Sequence, residues 1–318
     1  MVASRQRNHT HQGVVQVNSA TAGAGPRVVS VCVLLTCFNR REVTLDCLRA
    51  LGASLGLEHV DVRAVLVDDG SNDGTAQAVR DEFPWVDVVT SNGNLYWCRG
   101  MHLAFETALR TGFDHYLWLN DDTVLGQDAL ARLLACETQL RLKTDAPVIV
   151  VGSTADPVTG VCTYGGDRRP WRFRPFSVER VVPGAHPQRC DTLTGNVVLI
   201  PARAAQRVGN LDANFEHAMG DTDYGLRARR CGVQLWVAPE MHGTCADNPP
   251  TGTYLDATLP LATRWKRMLH RKGLPWRSWL IFTRRHTGVL WPLYFVWPYA
   301  RLVVTSCLAS SRRRTVQP

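Results

Sequence analysis

From Val28 onward, apolar runs of strand length alternate with segments of helical spacing, and this alternation constrains the fold more than any other feature of the chain. Val29 to Thr36 (VSVCVLLT), Val62 to Asp68 (VRAVLVD), Val86 to Thr90 and His115 to Asn120 (HYLWLN) read as buried strands, each followed by a turn-rich or polar segment. Between them, Arg41 to Leu55, Ser71 to Phe83 and Cys98 to Thr111 carry helical spacing, and Ser71-Asn72-Asp73 offers capping chemistry to the second. Such a succession predicts an α/β fold: a mostly parallel sheet with helices on both faces. A second half continues with a strand over Asn196 to Pro201, an arginine-rich helix over Asp221 to Cys231 and a strand over Val233 to Ala238. The segment Val151 to Arg189 reads only as loops.

In sheets of this kind ligands bind beyond the carboxyl ends of the strands. The residues there are Thr36, Phe38 and Asn39 after the first strand, then Asp68, Asp69 and Gly70 after the second. Asn92, Gly93 and Asn94 follow the third, and Asn120, Asp121 and Asp122 the fourth. Four polar endings converging on one edge describe a nucleotide pocket. The chain has no G-x-x-x-x-G-K-[ST] and no G-x-G-x-x-G, so phosphates there must be neutralised by a metal and by side chains. ATPase, kinase and dehydrogenase chemistry is disfavoured for the same reason.

Asp121 and Asp122 are adjacent carboxylates, which disfavour each other's ionisation unless a cation or basic groups neutralise them. Mg²⁺ or Mn²⁺ suits such a pair, since a hard divalent ion completes its shell with water and phosphate oxygens. The competing reading is that one aspartate caps the helix starting near Gly126 and the other is solvated. Asp68-Asp69-Gly70-Ser71 is either a simple turn or a place where a carboxylate accepts from a pyrimidine imide or from ribose hydroxyls. Gly220-Asp221-Thr222-Asp223-Tyr224 opens a helix, where aspartates serve as caps or, functionally, where one acts as a general base on an acceptor hydroxyl. His242, just after the last strand, could complete a metal shell or be structural. Tyr96 and Trp97 could stack on a sugar ring on the acceptor side and Arg99 could meet a phosphate, or all three pack as a wall.

Taken in order, the motifs T-C-F-N-R, V-D-D-G-S-N-D-G-T, N-G-N-L-Y-W-C-R-G-M, L-W-L-N-D-D-T, T-G-N-V-V-L-I-P and M-G-D-T-D-Y-G-L-R-A-R resemble the inverting glycosyltransferases of family 2, in their bacterial rhamnosyltransferase-like branch, from about Val29 to His242. The resemblance implies a nucleotide-sugar-binding fold of the glycosyltransferase A type, a divalent metal and inversion at the anomeric carbon. Carried over by position, it implies nucleoside contacts at Thr36 and Asp69 and a ribose and metal pair at Asp121 and Asp122; the reading of the strand ends and their neighbours adds Phe38, Asn39, Asp68, Asn94, Arg99 and Asn196 as nucleotide-sugar contacts. It implies a base at Asp221, with Asp223 as its substitute, and Asp122 ahead of Asp121 as metal ligand; the residue reading adds His242 to the metal set and places Tyr96, Trp97 and Asp223 on the acceptor side. Gly220 stands where the family's motif usually has glutamate, and Asn120 stands at the first place of D-x-D. The expected partners are a thymidine or uridine diphosphate sugar and a glycan or lipid-linked acceptor of cell-envelope polysaccharide synthesis.

Charge is needed to place the chain in the cell. The net charge is +8, yet every charged residue from Ala257 to Pro318 is basic, with 12 Lys or Arg, so the excess lies wholly in that segment. Interleaved Trp265, Trp276, Trp279, Trp291, Tyr294, Phe295, Trp297 and Tyr299 fit an interfacial anchor at an anionic membrane, or else pack on the preceding domain. Pro292, Pro298 and Arg301 interrupt the apolar stretch Gly288 to Ala309 and argue against a span. Residues 1–27 read as a mobile leader without a signal peptide, residues 28–256 as the catalytic domain and residues 257–318 as the tail. The ten cysteines are scattered without a C-x-x-C pair, which points to free thiols in a reducing cytosol and a peripheral position at the inner membrane face. Nucleic acid is not an expected partner. Two other classes compete: nucleotidylyl transfer, which would want glycine in the loop Thr36 to Arg41 where there is none, and a non-catalytic nucleotide-sugar-binding module, which would not need Asp221.

Overall fold

The computed structural model describes residues 27–170, 177–247 and 249–315, so the leader expected over 1–27 lies outside it but for its last residue. In chain order the elements are β1 (Val29–Cys37), α1 (Arg41–Ala53), β2 (Val60–Asp68), α2 (Thr75–Glu82), β3 (Val86–Thr90), α3 (Tyr96–Thr111) and β4 (His115–Leu119). There follow β5 (Val124–Leu125), α4 (Ala129–Arg141), β6 (Val148–Ala155), β7 (Cys162–Tyr164), β8 (Gly166–Arg168), β9 (Glu179–Arg180), β10 (Gln188–Cys190), β11 (Thr192–Leu193) and β12 (Val197–Pro201). The last elements are α5 (Ala202–Val208), α6 (Gly220–Arg230), β13 (Gln234–Thr244), α7 (Leu261–Met268), α8 (Trp276–His286) and α9 (Trp291–Thr315).

The main sheet runs β10-β13-β6-β12-β4-β1-β2-β3, with β5 added beside β13 and β7 beside β6. β3, β2, β1 and β4 are mutually parallel, so their carboxyl ends and the loops that follow share one edge. β12 is antiparallel to both β4 and β6, a departure from the parallel pattern on which the expected arrangement was built. A small second sheet, β11-β8-β9, takes β8 and β9 from the stretch that reads as loops, with β11 just beyond it.

Strand side chains alternate between two cores, as the pleat requires. Cys32 and Leu34 point to the face covered by α3, α5, α6 and α8, whereas Val31, Val33 and Leu35 point to the face covered by α1, α2 and α4. The second helix begins at Thr75 rather than at Ser71, because residues 71–74 form a loop that ends in left-handed Gly74 (φ 81°). Asp73 in that loop serves two helices, accepting from the backbone N–H of Arg41 at 3.0 Å and of Thr75 at 3.0 Å. Both donors would otherwise be orphaned at a helix start.

The basic tail packs on the body. Trp279 and Phe282 of α8 are buried in the same core as Phe215 and Tyr224, with Phe295 and Tyr299 of α9 against them. No helix among the described residues is long and apolar enough to cross a membrane.

Candidate active site

The shared edge of β1, β2 and β4 opens into a cleft of about 440 Å³ lined by Thr36, Cys37, Phe38, Arg40, Asp69, Asn94, Tyr96, Trp97, Asp121, His217, His270 and Lys272. Beside it the backbone of α3 packs closely on the Thr36 side chain of β1. A Cβ on Gly100 would lie 2.2 Å from Oγ1 of Thr36, so only glycine lets the first turns of α3 press on the end of β1.

Asp69 positions the start of α3. Its Oδ1 accepts from Ser91 Oγ at 2.7 Å and from the N–H of Leu95 at 3.0 Å, and its Oδ2 accepts from the N–H of Tyr96 at 2.9 Å. These bonds hold Asn94 (φ 73°) and Tyr96 (φ 58°) in the left-handed region, which non-glycine residues occupy only under tertiary constraint. Asp68 is turned away from the cleft, accepting from the N–H of Ser71 at 3.0 Å. Asn39 likewise binds its neighbours: its N–H donates to Ser71 Oγ at 2.9 Å and its Oδ1 accepts from the N–H of Asn72 at 2.8 Å.

Asp121 and Asp122 are joined by one guanidinium. Arg40 Nη1 donates to Asp121 Oδ1 at 3.0 Å and Nη2 to Asp122 Oδ2 at 2.8 Å. Burial raises the Asp121 carboxyl to about 7, and the Asp122 charge adds to the rise while Arg40 opposes it. Burial works against the charge on Arg40, but the two aspartates more than offset it and its pKa is raised. The second oxygen of Asp121, Oδ2, is buried and has no hydrogen-bond partner. A buried acceptor without a donor is costly, and a divalent cation with oxygen preference would satisfy it. The donor set of two carboxylates therefore fits Mg²⁺ or Mn²⁺, although among the described residues no three of His, Cys, Asp or Glu gather as a cation cage.

His242, expected to complete that set, is placed elsewhere. The strand that was expected to end at Ala238 continues as β13 to Thr244 past register shifts between Val237 and Gly243, so His242 lies within the sheet and not after it. Its ring is fully buried beneath Gly152, both nitrogens lack partners, and burial pushes its pKa down to about 4. The side chain next to Asp122 is instead Cys245, whose Sγ lies 3.5 Å from Asp122 Oδ1.

Asn196 supports the aspartate loop from behind. Its Oδ1 accepts from Thr123 Oγ1, its backbone carbonyl accepts from the N–H of Asn120 at 3.2 Å, and only 1% of it is exposed. It holds the loop in place and does not reach the cleft.

Trp97 connects the aspartate pair to Asp221. Its Nε1 donates to Asn120 Oδ1 at 2.8 Å, and its ring edge packs on Trp118, which in turn meets Tyr224 of α6. Gly195 fits between: a Cβ there would stand 2.3 Å from the indole and 3.2 Å from Cβ of Asp221. The N–H of Gly195 donates to Asp221 Oδ2 at 2.9 Å, and the N–H of Thr222 donates to Oδ1 at 2.7 Å. Burial raises the pKa of Asp221 although both amides oppose the rise. Gly220 also has a steric reason, since a Cβ there would sit 2.1 Å from Cys98 Sγ; the absence of the glutamate usual in the motif follows from this contact with α3.

Two expected site residues are turned elsewhere. Arg99 donates from Nε to the carbonyl of Ala213 at 2.9 Å and pairs with Glu216 at 3.5 Å, anchoring the loop before α6. Asp223, expected on the acceptor side, is fully buried among Arg227 (2.7 Å), Arg285 (2.8 Å) and His286 (2.8 Å). Burial opposes its charge, but those three donors hold its pKa below the usual carboxylate range. It fastens α8 to α6.

Several lining residues carried no assigned role in the sequence. Arg40 sits in the T-C-F-N-R motif, one place beyond Asn39, and that adjacency to a strand end was its signal. His217, His270 and Lys272 gave none, because they lie on loops far along the chain. Tyr96 meets both His217 (6.2 Å between ring centroids) and His270 (6.4 Å), and the Arg271 guanidinium lies 4.9 Å over the Tyr96 ring. Burial, with the charges of Lys272 and His270, lowers His217 to about 4 and keeps it neutral. The tail thus supplies one wall of the cleft, with Arg271 also paired to Glu216 at 2.9 Å.

The chain is similar to known glycosyltransferases in sequence and in shape. An uncharacterized protein of Mycobacterium tuberculosis (strain H37Rv) is 28% identical over 216 residues, covering 66% of this chain and 71% of that protein. A poly-beta-1,6-N-acetyl-D-glucosamine synthase of Staphylococcus epidermidis is 27% identical over 108 residues, 32% of this chain and 24% of that protein. Among solved structures, the mannosyltransferase PcManGT of Pyrobaculum calidifontis, in complex with GDP-Man and Mn²⁺, superposes with a TM-score of 0.52 at 15% identity over 91% of this chain and 76% of that one. GalNAc-T7 with UDP, GalNAc and Mn²⁺ gives 0.53 at 13% identity over 86% and 55%. These likenesses establish the glycosyltransferase A-type fold. Residues 26–267 match the profile described as glycosyltransferase like family 2, and the chain belongs to that family.

Proposed function

We propose that the chain is an inverting glycosyltransferase that moves a sugar from a nucleotide diphosphate donor to a hydroxyl of a glycan or lipid-linked acceptor in cell-envelope polysaccharide synthesis. The observation that carries the reading is the run Asp121-Asn120-Trp97-Gly195-Asp221, in which one indole links a carboxylate pair at the mouth of a nucleotide-sized cleft to a carboxylate held by two amides. The mannosyltransferase of similar fold is in complex with GDP-Man and Mn²⁺, and poly-beta-1,6-N-acetyl-D-glucosamine is the product named for the staphylococcal relative.

Asp121 and Asp122 would hold a divalent cation, Mg²⁺ or Mn²⁺, which would supply neutralising charge for the departing diphosphate. Arg40 and Lys272 add positive charge around the same cleft. Thr36, Phe38, Asp69 and Asn94 shape the nucleoside end. Trp97 and Tyr96 present aromatic faces to the sugar. Asp221 takes the proton of the acceptor hydroxyl as its oxygen bonds to the anomeric carbon, and the bond from that carbon to the diphosphate oxygen breaks with its electron pair leaving on the nucleoside diphosphate. A single displacement inverts the anomeric centre and needs one catalytic carboxylate, in contrast to the acid and base pair of a glycosidase. The rhamnosyltransferase-like branch and a thymidine or uridine diphosphate donor belong to this reading, as does work at the cytoplasmic face of the membrane.

Purified protein incubated with thymidine, uridine and guanosine diphosphate sugars and Mn²⁺ should release nucleoside diphosphate with at least one donor. No release from any of them, together with no metal-dependent nucleotide binding by calorimetry, would overturn the reading.

A further inference from the structure

Helix α9 is apolar on both sides. Its inner face, with Phe295, Tyr299 and Leu302, packs on α8 and the body, and Tyr299 donates from its hydroxyl to the carbonyl of Leu274 at 2.9 Å. The opposite face carries Leu293 (69% exposed), Val296, Trp297 (64% exposed) and Val304, extended backward by Val289 and Leu290 in the turn before the helix. These positions recur at three- and four-residue spacing, so they form one stripe along the helix. A soluble helix in contact with water on this side would be polar there. Among the described residues nothing covers the stripe.

We propose that this stripe docks in the plane of an anionic lipid bilayer. Charge selects the occupant. All 12 charged residues from Ala257 to Pro318 are cationic, so the surroundings of the stripe repel a second copy of the same tail and attract an acidic membrane surface. Arg284, at the foot of α9 with its guanidinium 5.3 Å over the Trp291 ring, and exposed Arg301, between Trp297 and Val304, can each lay an aliphatic stem on the apolar face and reach headgroup phosphates. Since no described helix can span the bilayer, the helix lies along the interface with its apolar face buried in the headgroup and acyl boundary.

Docking on this face has a geometric consequence for the cleft. The loop 269–275, which carries His270 and Lys272 to the cleft, is bonded to α9 through the Leu274 carbonyl and Tyr299. A membrane-bound α9 therefore holds the cleft close to lipid headgroups, where a lipid-linked acceptor would present its hydroxyl; this last clause rests on the proposed glycosyl transfer, and the docking does not.

The test uses the full chain in vesicle flotation, without donor or metal, so that it is independent of activity. Vesicles with about one third phosphatidylglycerol in phosphatidylcholine should carry the protein at about 0.1 M salt, with weaker binding as salt rises, and pure phosphatidylcholine should not. The double variant Leu293→Glu and Trp297→Glu should lose on the order of 100-fold in partitioning, while its melting temperature and light-scattering mass stay those of the parent. Absence of flotation with anionic vesicles, or flotation unchanged in the variant, would overturn the proposal. So would a dimer in solution that the variant dissociates, which would assign the stripe to a second copy.

Discussion

Arg40 Nη1 lies 3.0 Å from Asp121 Oδ1, and the same guanidinium reaches Asp122, so an internal cation already neutralises the pair assigned to the metal. Removing it exposes two carboxylates to each other. Arg40→Met should lower stability by about 1–3 kcal/mol without metal, through loss of charged hydrogen bonds to a buried acceptor. Millimolar Mn²⁺ should then raise the melting temperature of the variant by more than that of the parent. Equal shifts in the two proteins would show that Arg40 and the cation do not compete for the carboxylates.

The raised pKa of Asp221 fixes the direction of a pH effect. Burial is its main cause, so the carboxylate becomes ionised, and able to accept a proton, only above the ordinary value of ~4. The acid limb of kcat/KM should therefore lie above that value, with activity rising as pH rises through it. Asp221→Asn should reduce kcat by roughly 10²–10⁴-fold with donor binding retained, the range expected on losing a general base. Turnover unchanged in this variant would remove the base assignment.

Gly195 has no space for a methyl group beside Trp97. Gly195→Ala must push the indole away from Asn120, at a cost of about 1–3 kcal/mol for overpacking. Turnover should fall more than nucleotide affinity, since the displaced ring stands between the aspartate pair and Asp221. Equal kcat in the parent and the variant would mean that Trp97 does not set the geometry of transfer.

Asp223 links the tail to α6 through Arg285 and His286 of α8, with Arg227 of α6 as its third partner. Its folded-state pKa is depressed, so its contribution to stability is complete above the unfolded value near ~4 and is lost as pH falls through the lower folded value. Asp223→Asn should cost about 3–5 kcal/mol at neutral pH, because Arg227 is left without its carboxylate and Arg285 keeps only Asp212. Urea melts at about pH 7 and about pH 3.5 should show the gap between parent and variant narrowing in acid. A gap that widens would contradict the sign.

The parallel half of the sheet was legible because its strands are continuous apolar runs whose endings fall at predictable places. β1 and β3 match their sequence-based spans closely, and Thr36, Phe38, Asp69, Asn94 and Asp121 all line the cleft as residues that follow those endings. Strand direction was not legible: β12 looks like any buried strand, and only the path of the chain makes it antiparallel. Elements of two or three residues, such as β8 and β9, are too short for periodicity to register. Within the site, what a local reading does not show is the distant partner. Arg99 and Asp223 sit on helices at positions whose sequence context suits catalysis, yet their partners are Glu216 on one loop and Arg285 on a tail helix, neither of which a local motif reveals. His242 was misjudged because a strand that appears to stop at Pro239 continues through a bulge.

The contact between Asn94 and Arg271 joins positions 177 residues apart, and it closes the same cleft that β1 opens. Contacts of such separation form late, since the loop they close must be ordered before any reward is gained. During synthesis the early strands can pair and the aspartate loop can take shape while the cleft is still one-sided. Its last wall arrives only with the segment that also bears α8 and α9. The cleft is thus complete only once this segment has emerged and docked on α6, so its assembly follows that of the sheet at whose edge it opens.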